Sequence, residues 1–231
     1  MTKPAALSSV PADTTGVAAA WQARVARHRI DSIAQHCLPP MPDARAERFI
    51  FLRHGETRGN HLRIFQHAEI ELNETGLAQA AEAAALLAGS GVRCILSSTM
   101  HRAWQTAVIA GESLKLSPTE EPGLRERWFG DLVGTSSAEL DWSYDPPNGD
   151  RLIDFVTTTR QALANSLAST DPTLLVAHGG SLYVIAYSLG VTLREDMASN
   201  ATPLVFERSD GRWSARHYAE VKLQRGGNIG W

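Results

Sequence analysis

The stretch Phe49-Ile50-Phe51-Leu52-Arg53-His54-Gly55-Glu56-Thr57 decides the fold. Its apolar half is aromatic and branched with no polar break, as in a strand buried on both faces of a sheet. The run then stops at an arginine, a histidine and a glycine. Glycine lets the backbone turn sharply and come close to a ligand. Ligands of open α/β sheets gather at the carboxyl ends of strands, so Arg53 and His54 stand where chemistry is usually done. The same grammar returns in Thr173-Leu174-Leu175-Val176-Ala177-His178-Gly179-Gly180. A lone histidine at a strand end is more often structural than catalytic. Two such strands, and a third ending at Ser97-Ser98 with Arg102 one turn into the next helix, weaken that bland reading.

Outward from these strands the chain alternates. Leu72-Asn73-Glu74-Thr75-Gly76 opens an Ala- and Leu-rich helix to about residue 88, closed by Gly89-Ser90-Gly91. A strand is expected over 92–96 and a helix over 100–114. Further helices are expected over 152–167 and 181–189, the second following the strand 173–177. Residues 122–149 are loop-rich, and a loop of that length in a compact domain usually serves function. Asp210-Gly211 between the strand-like runs 204–208 and 213–218 is a hairpin signal. Alternation of this kind predicts an α/β three-layer sandwich: a mainly parallel sheet, helices on both faces, and a terminal β-hairpin at one edge.

Composition narrows the functional classes. The chain has 231 residues and a formal net charge of -3, with no long basic run, so nucleic acid is not an expected partner. No apolar run is long enough to span a membrane, and the N-terminus lacks the pattern of a secretory signal. Two cysteines, Cys37 and Cys94, suggest neither a disulfide framework nor a metal site, which suits a reducing, cytoplasmic setting. Residues 1–46 read as an N-terminal extension: a mobile start, one helix over 16–37 carrying Val17, Trp21, Val25 and His28 at helical spacing, and a Pro-rich linker. That helix is expected to pack on the domain surface or in a homo-oligomer contact. Residues 47–231 form the main domain.

Four blocks carry a resemblance. Arg53-His54-Gly55-Glu56-Thr57 with Asn60, Ser97-Ser98 with Arg102-Ala103 and Gln105-Thr106-Ala107, Leu124-Arg125-Glu126, and His178-Gly179-Gly180 occur in order along the chain. Together they resemble the histidine phosphatase superfamily, the phosphoglycerate-mutase-like family. The resemblance implies the same architecture and a two-step phosphoryl transfer through a phosphohistidine, and it marks His54 as the nucleophile. Such chemistry needs a nucleophile that works near neutral pH, cations for the equatorial oxygens and a proton for the leaving alkoxide. Arg53 and Arg102 fit the cationic clamp, since guanidinium pairs with phosphate in bidentate fashion and keeps its charge. His178 is expected to become cationic beside bound phosphate and to stabilise the transition state. Glu126 is the expected general acid; by composition Glu120, Glu121 and Asp131 are rivals, and the family block favours Glu126.

Asn60 and Thr57 are expected to donate to phosphate, with ordinary capping or turn chemistry as the alternative for each. Gln66 and the backbone of Gly179 complete the expected substrate-binding set, and Asn200 is a further candidate. His61, His67 and Glu69 match no standard ligand spacing, so neither metal nor cofactor is expected. The chain departs from the family pattern where His67 replaces a usual Gly and where residues 130–134 lack the usual Trp and Glu. His67 and Trp128 are therefore expected to line the non-phosphate end of the substrate.

The leading expectation is a metal-independent phosphomonoesterase acting on small phosphorylated metabolites. A phosphoglycerate-type mutase and an inactive phospholigand-binding module are the alternatives. Pro146-Pro147-Asn148-Gly149-Asp150 resembles the phosphatase pattern.

Overall fold

The computed structural model describes residues 31–38, 41, 44–226 and 231. Most of the expected N-terminal helix, the mobile start and most of the Pro-rich linker lie outside the described residues. A six-stranded sheet runs in the order β3-β2-β4-β1-β5-β6. Its strands are β1 (Arg48–Arg53), β2 (Cys94–Ser97), β3 (Thr119–Glu120), β4 (Thr173–Ala177), β5 (Pro203–Ser209) and β6 (Arg212–His217). The first four are mutually parallel where they pair, and β5 and β6 add antiparallel pairing at one edge. Strand β1 sits between β4 and β5, so both its edges are hydrogen-bonded.

Burial on both faces of β1 follows from its period-two alternation. Phe49 and Phe51 point to one face, where they meet α5 (Leu152–Leu167) and α6 (Gly179–Ser188) through Leu163, Leu167, Leu182 and Ile185. Ile50 and Leu52 point to the other, packing with α3 (Glu74–Leu87), α4 (His101–Leu114) and α7 (Tyr218–Gln224) through Leu87, Ala103, Ala107 and Tyr218. Phe49 also stacks on its cross-strand partner Phe206, with ring centroids 4.8 Å apart. The expected layers and the hairpin are present, the hairpin turning through Asp210 and Gly211 at φ of 51° and 75°.

Several boundaries shift. The second strand starts at Cys94 rather than 92, because the N–H groups of Arg93 and Cys94 both donate to the Pro172 carbonyl before the ladder begins. Helix α6 starts at Gly179, two residues before the expected start, directly after His178. Tyr218, expected as a strand end, opens α7. A short helix, α2 (Arg58–Leu62), follows the first motif.

Residues 31–36 are helical, the first helix (α1), and they pack into the domain rather than beside it. Ile33 and Cys37 are fully buried with Phe65, Phe129, Trp142, Phe155 and Val184. The backbone follows: Met41 N–H donates to the Ser188 carbonyl at 3.0 Å, and Arg45 N–H to the Leu167 carbonyl at 2.9 Å.

The long loop over 122–149 is closed by one side chain. Arg127 is 2% exposed, and its guanidinium donates to the carbonyls of Trp142, Tyr144 and Asp150 at 2.6–3.0 Å. It also pairs with the Asp145 carboxylate at 2.6 Å. A buried guanidinium is tolerated only when its donors are satisfied in this way. No helix among the described residues is long and apolar enough to cross a membrane.

We propose that residues from about 31 onward fold as one unit with the sheet. Truncating Ile33→Ala should then lower the unfolding free energy by roughly 2–4 kcal/mol, the usual cost of an aliphatic core cavity. Urea denaturation checks this; an unchanged midpoint would return this segment to the status of a separable appendage.

Candidate active site

The parallel strands β2, β4 and β1 end side by side, and each delivers part of the site. Arg53 closes β1 and His54 follows it. His178 follows β4 as the N-cap of α6, and Arg102 stands in the first turn of α4 after β2. The rings of His54 and His178 come together with centroids 5.1 Å apart.

The contacts of His54 fix its tautomer. Arg102 Nε donates to His54 Nε2 at 3.3 Å, and His54 Nδ1 lies 2.7 Å from the Gly55 carbonyl. A guanidinium has no lone pair to offer, so Nε2 is the acceptor and Nδ1 carries the proton. Burial, then the charges of Arg102 and Arg53, hold this imidazole well below its ordinary pKa of 6.5. A neutral ring with its Nε2 lone pair in the site is what a nucleophile requires.

Two helices and a loop brace the backbone around it. Gly55 N–H donates to Thr106 Oγ1 on α4 at 3.1 Å, and Glu56 N–H to Gln79 Oε1 on α3 at 2.9 Å. Asn200 Nδ2 donates to the His54 carbonyl at 2.9 Å, so this residue does return to the site. Gly55 is required by a close approach, since a Cβ there would stand 2.3 Å from the Gly76 carbonyl oxygen.

His178 is fully buried, and its Nε2 lies 2.8 Å from Ser98 Oγ. Burial, followed by the charges of Arg102 and Arg53 and the neighbouring His54, pushes its pKa well below 6.5. Arg53 Nη1 donates to the Ala198 carbonyl at 2.5 Å. Arg102 Nη1 donates to the His67 carbonyl at 3.1 Å. Burial lowers the Arg102 pKa to about 10; Arg53 and Arg125 push the same way and Glu126 opposes them.

Among the described residues, three buried side-chain nitrogens or oxygens lack a partner, and two of them are Arg53 Nε and His178 Nδ1. Buried polar atoms are normally satisfied, so two orphaned nitrogens beside His54 are groups that a ligand rich in acceptors would satisfy.

Glu126 comes over the site from the 122–149 loop. Its Oε2 accepts from Gly180 N–H at 2.8 Å and its Oε1 from Arg127 N–H at 3.1 Å. Burial raises its pKa above the usual carboxylate range, and these bonds together with Arg102 and Arg53 offset part of that rise. A Cβ at Gly180 would stand 2.2 Å from Glu126 Oε1, so only glycine lets the carboxylate dock there. The rivals are elsewhere engaged. Glu121 accepts from Gly123 N–H, Asp131 accepts from Asn148, and Glu120 is exposed in β3.

The expected substrate-binding residues divide. Thr57 caps α2: its hydroxyl accepts from Asn60 N–H at 3.1 Å and lies 2.5 Å from Gln66 Oε1, while Asn60 Oδ1 accepts from Thr57 N–H. Capping, the alternative reading, is thus what Thr57 does here. Asn60 Oδ1 in turn lies 3.5 Å from Asn200 Nδ2, which places the cluster beside His54. Gly179 lies over Arg53, whose guanidinium carbon is 3.7 Å from the position of a Cβ. Next to it, Gly180 N–H is occupied by Glu126. The pairing of Ser98 with His178 was not anticipated, although Ser97-Ser98 stood out in the sequence. Beyond Glu126 a cleft of about 550 Å³ opens, lined in part by His67 and Trp128, whose rings are 5.8 Å apart.

Comparison with known proteins agrees with this geometry. Residues 49–221 match the model of the histidine phosphatase superfamily (branch 1). A glucosyl-3-phosphoglycerate phosphatase of Mycobacterium tuberculosis is 32% identical over 169 residues, covering 63% of this chain and 76% of that protein. An agropine synthesis reductase of Rhizobium rhizogenes is 33% identical over 204 residues, covering 83% of this chain. The chain spans about half the length of that reductase, 47%. The solved structure of mycobacterial glucosyl-3-phosphoglycerate phosphatase complexed with VO3 superposes with a TM-score of 0.63 at 30% identity, covering 74% of this chain and 98% of that one. With the blocks of the sequence converging on one hollow and the match running through them all, the chain belongs to the histidine phosphatase superfamily.

Proposed function

We propose that the protein is a phosphomonoesterase that hydrolyses small phosphorylated metabolites through a phosphohistidine on His54. The observation that carries this reading is the neutral His54 with Nε2 as acceptor beside two buried, unpartnered nitrogens. The Nε2 lone pair attacks phosphorus while the ester P–O bond breaks. Arg53 and Arg102, joined by His178 once the bound dianion favours its protonated form, balance the charge on the phosphoryl oxygens; a metal is not needed for that, because the guanidiniums supply it. Glu126, its pKa raised, gives its proton to the departing alkoxide. In the second step Glu126, now a carboxylate, takes a proton from water as the oxygen attacks phosphorus. The P–N bond breaks, inorganic phosphate leaves, and His54 returns to its neutral form with Nδ1–H on the Gly55 carbonyl. The open cleft beyond Glu126 favours water as acceptor over return of the phosphoryl group, which supports hydrolysis over a mutase. The unpaired thiols of Cys37 and Cys94 suit a reducing compartment such as the cytoplasm.

Replacing the nucleophile, His54→Ala, should lower release of phosphate from an aryl phosphate in the presence of EDTA on the order of 10³-fold or more. Turnover that survives the change would remove His54 from its role.

The pH profile tests the acid. His54 acts neutral and its pKa is held below the ordinary 6.5, so the acidic limb lies below the usual histidine range. Glu126 acts protonated and its pKa is raised, so turnover of alkyl phosphates should fall as pH rises through that value. Aryl phosphates leave without a proton, and their alkaline limb should be flat. Glu126→Gln should slow alkyl phosphates about 10²-fold and aryl phosphates far less. Equal slowing of the two classes would exclude Glu126 as the acid.

A further inference from the structure

In the phosphatase reading, the alcohol to which the phosphate is attached lies in the cleft lined by Glu126. Its mouth carries an aromatic pair: the indole of Trp128 and the imidazole of His67, tilted at 47° with centroids 5.8 Å apart. Trp128 is held there at both ends, its backbone N–H on Asp150 Oδ2 at 2.8 Å and its indole N–H on the Asn148 carbonyl at 3.0 Å. Anchored in this way, it offers a ring face and not a free donor.

The charges around that pair are mostly negative. Glu69 and Asp150 line the cleft and form no ion pair among the described residues. Asp154 also lines it and is balanced by Arg151 at 3.0 Å. Arg125 is the one guanidinium in the lining; it donates to Thr99 Oγ1 at 3.0 Å, and its field reaches Arg102 and His178, on the phosphate side. Ionised carboxylates accept hydrogen bonds and cannot donate them. They are partners for hydroxyl groups and repel a second carboxylate.

An independent feature points to a ligand in the same cleft. Thr159 on α5 is fully buried, lines the cleft, and its Oγ1 has no partner among the described residues. A buried hydroxyl without a partner is rare. A hydroxyl-bearing guest that displaced the groups covering it would supply both the donor and the acceptor it lacks.

Resting on the phosphatase reading above, we propose that the substrate is the phosphate of an uncharged, hydroxyl-rich alcohol, of sugar or sugar-alcohol type. Its carbon skeleton lies against Trp128, and its hydroxyls donate to Glu69 and Asp150. Monoesters that carry a carboxylate on the alcohol side are disfavoured, although relatives of this chain include a glucosyl-3-phosphoglycerate phosphatase.

The test compares kcat/KM for hexose 6-phosphates and hexitol phosphates with that for 3-phosphoglycerate, an aryl phosphate serving as control. The uncharged alcohols should win by about ten-fold or more, the scale of like-charge repulsion across a partly solvated cleft. Glu69→Lys should shrink that margin several-fold by raising kcat/KM for 3-phosphoglycerate. Trp128→Ala should raise KM for the sugar phosphates more than it changes KM for the aryl phosphate. If 3-phosphoglycerate is handled as well as the sugars, or if Glu69→Lys leaves the ratio unmoved, the proposal is overturned while aryl phosphate hydrolysis keeps the phosphatase reading intact. If no ester is turned over, that reading falls, and calorimetric affinities for the same compounds decide the cleft's preference by the same ratios.

Discussion

Two guanidiniums are held inside the protein with a single carboxylate for company, and the rest of the site answers to that excess of positive charge. Arg53 and Arg102 each lower the proton affinity of both imidazoles, beyond what burial does alone. Arg102 is itself depressed, first by burial and then by its cationic neighbours. Burial still dominates at Glu126, where the carboxyl stays easier to protonate than usual despite two nearby arginines. An arrangement that keeps histidines neutral and a carboxylic acid ready to protonate, all at one pH, is difficult to build from separate surface groups. It is a consequence of sharing one low-dielectric hollow that a dianion would neutralise.

The sheet makes that crowding possible. With β1 hydrogen-bonded on both sides and buried on both faces, the backbone leading to Arg53 and His54 has little freedom. The neighbouring strands impose the same carboxyl edge on Ser98 and His178. Local bracing then finishes what topology begins: a hydroxyl from α4, an amide from α3 and an amide from the loop at Asn200 all hold the turn after β1.

Much of this could be read from the residues. Strands β1 and β4 announce themselves because both faces are buried, so their runs carry no polar interruption. The hairpin was legible because positive φ at Asp210 and Gly211 demands such residues. Helix α5 was legible from its periodic apolar positions. What escaped depended on partners distant in sequence. The start of β2 was decided by the Pro172 carbonyl, and α7 is too short for a periodic signal to stand out. Ser98 stood in one of the sequence blocks without a role until His178 came to lie against it, and Thr57 could be seen as a ligand or as a cap until Asn60 and Gln66 closed around it. The packing of Ile33 and Cys37 against Phe155 and Val184 gave no local sign, because the hydrophobic partners lie more than a hundred positions away.

Arg127 offers a last consequence. It fastens the long loop chiefly by gripping main-chain carbonyls, which every residue type possesses, and adds one side chain, Asp145. Next to it in the chain, Glu126 is thereby kept in place without help from the identity of most residues farther along the loop. Drift in those residues can reshape the wall facing the departing alcohol while the proton donor stays put. A fold built like this can change clients by altering the upholstery and leaving the hinge pin alone.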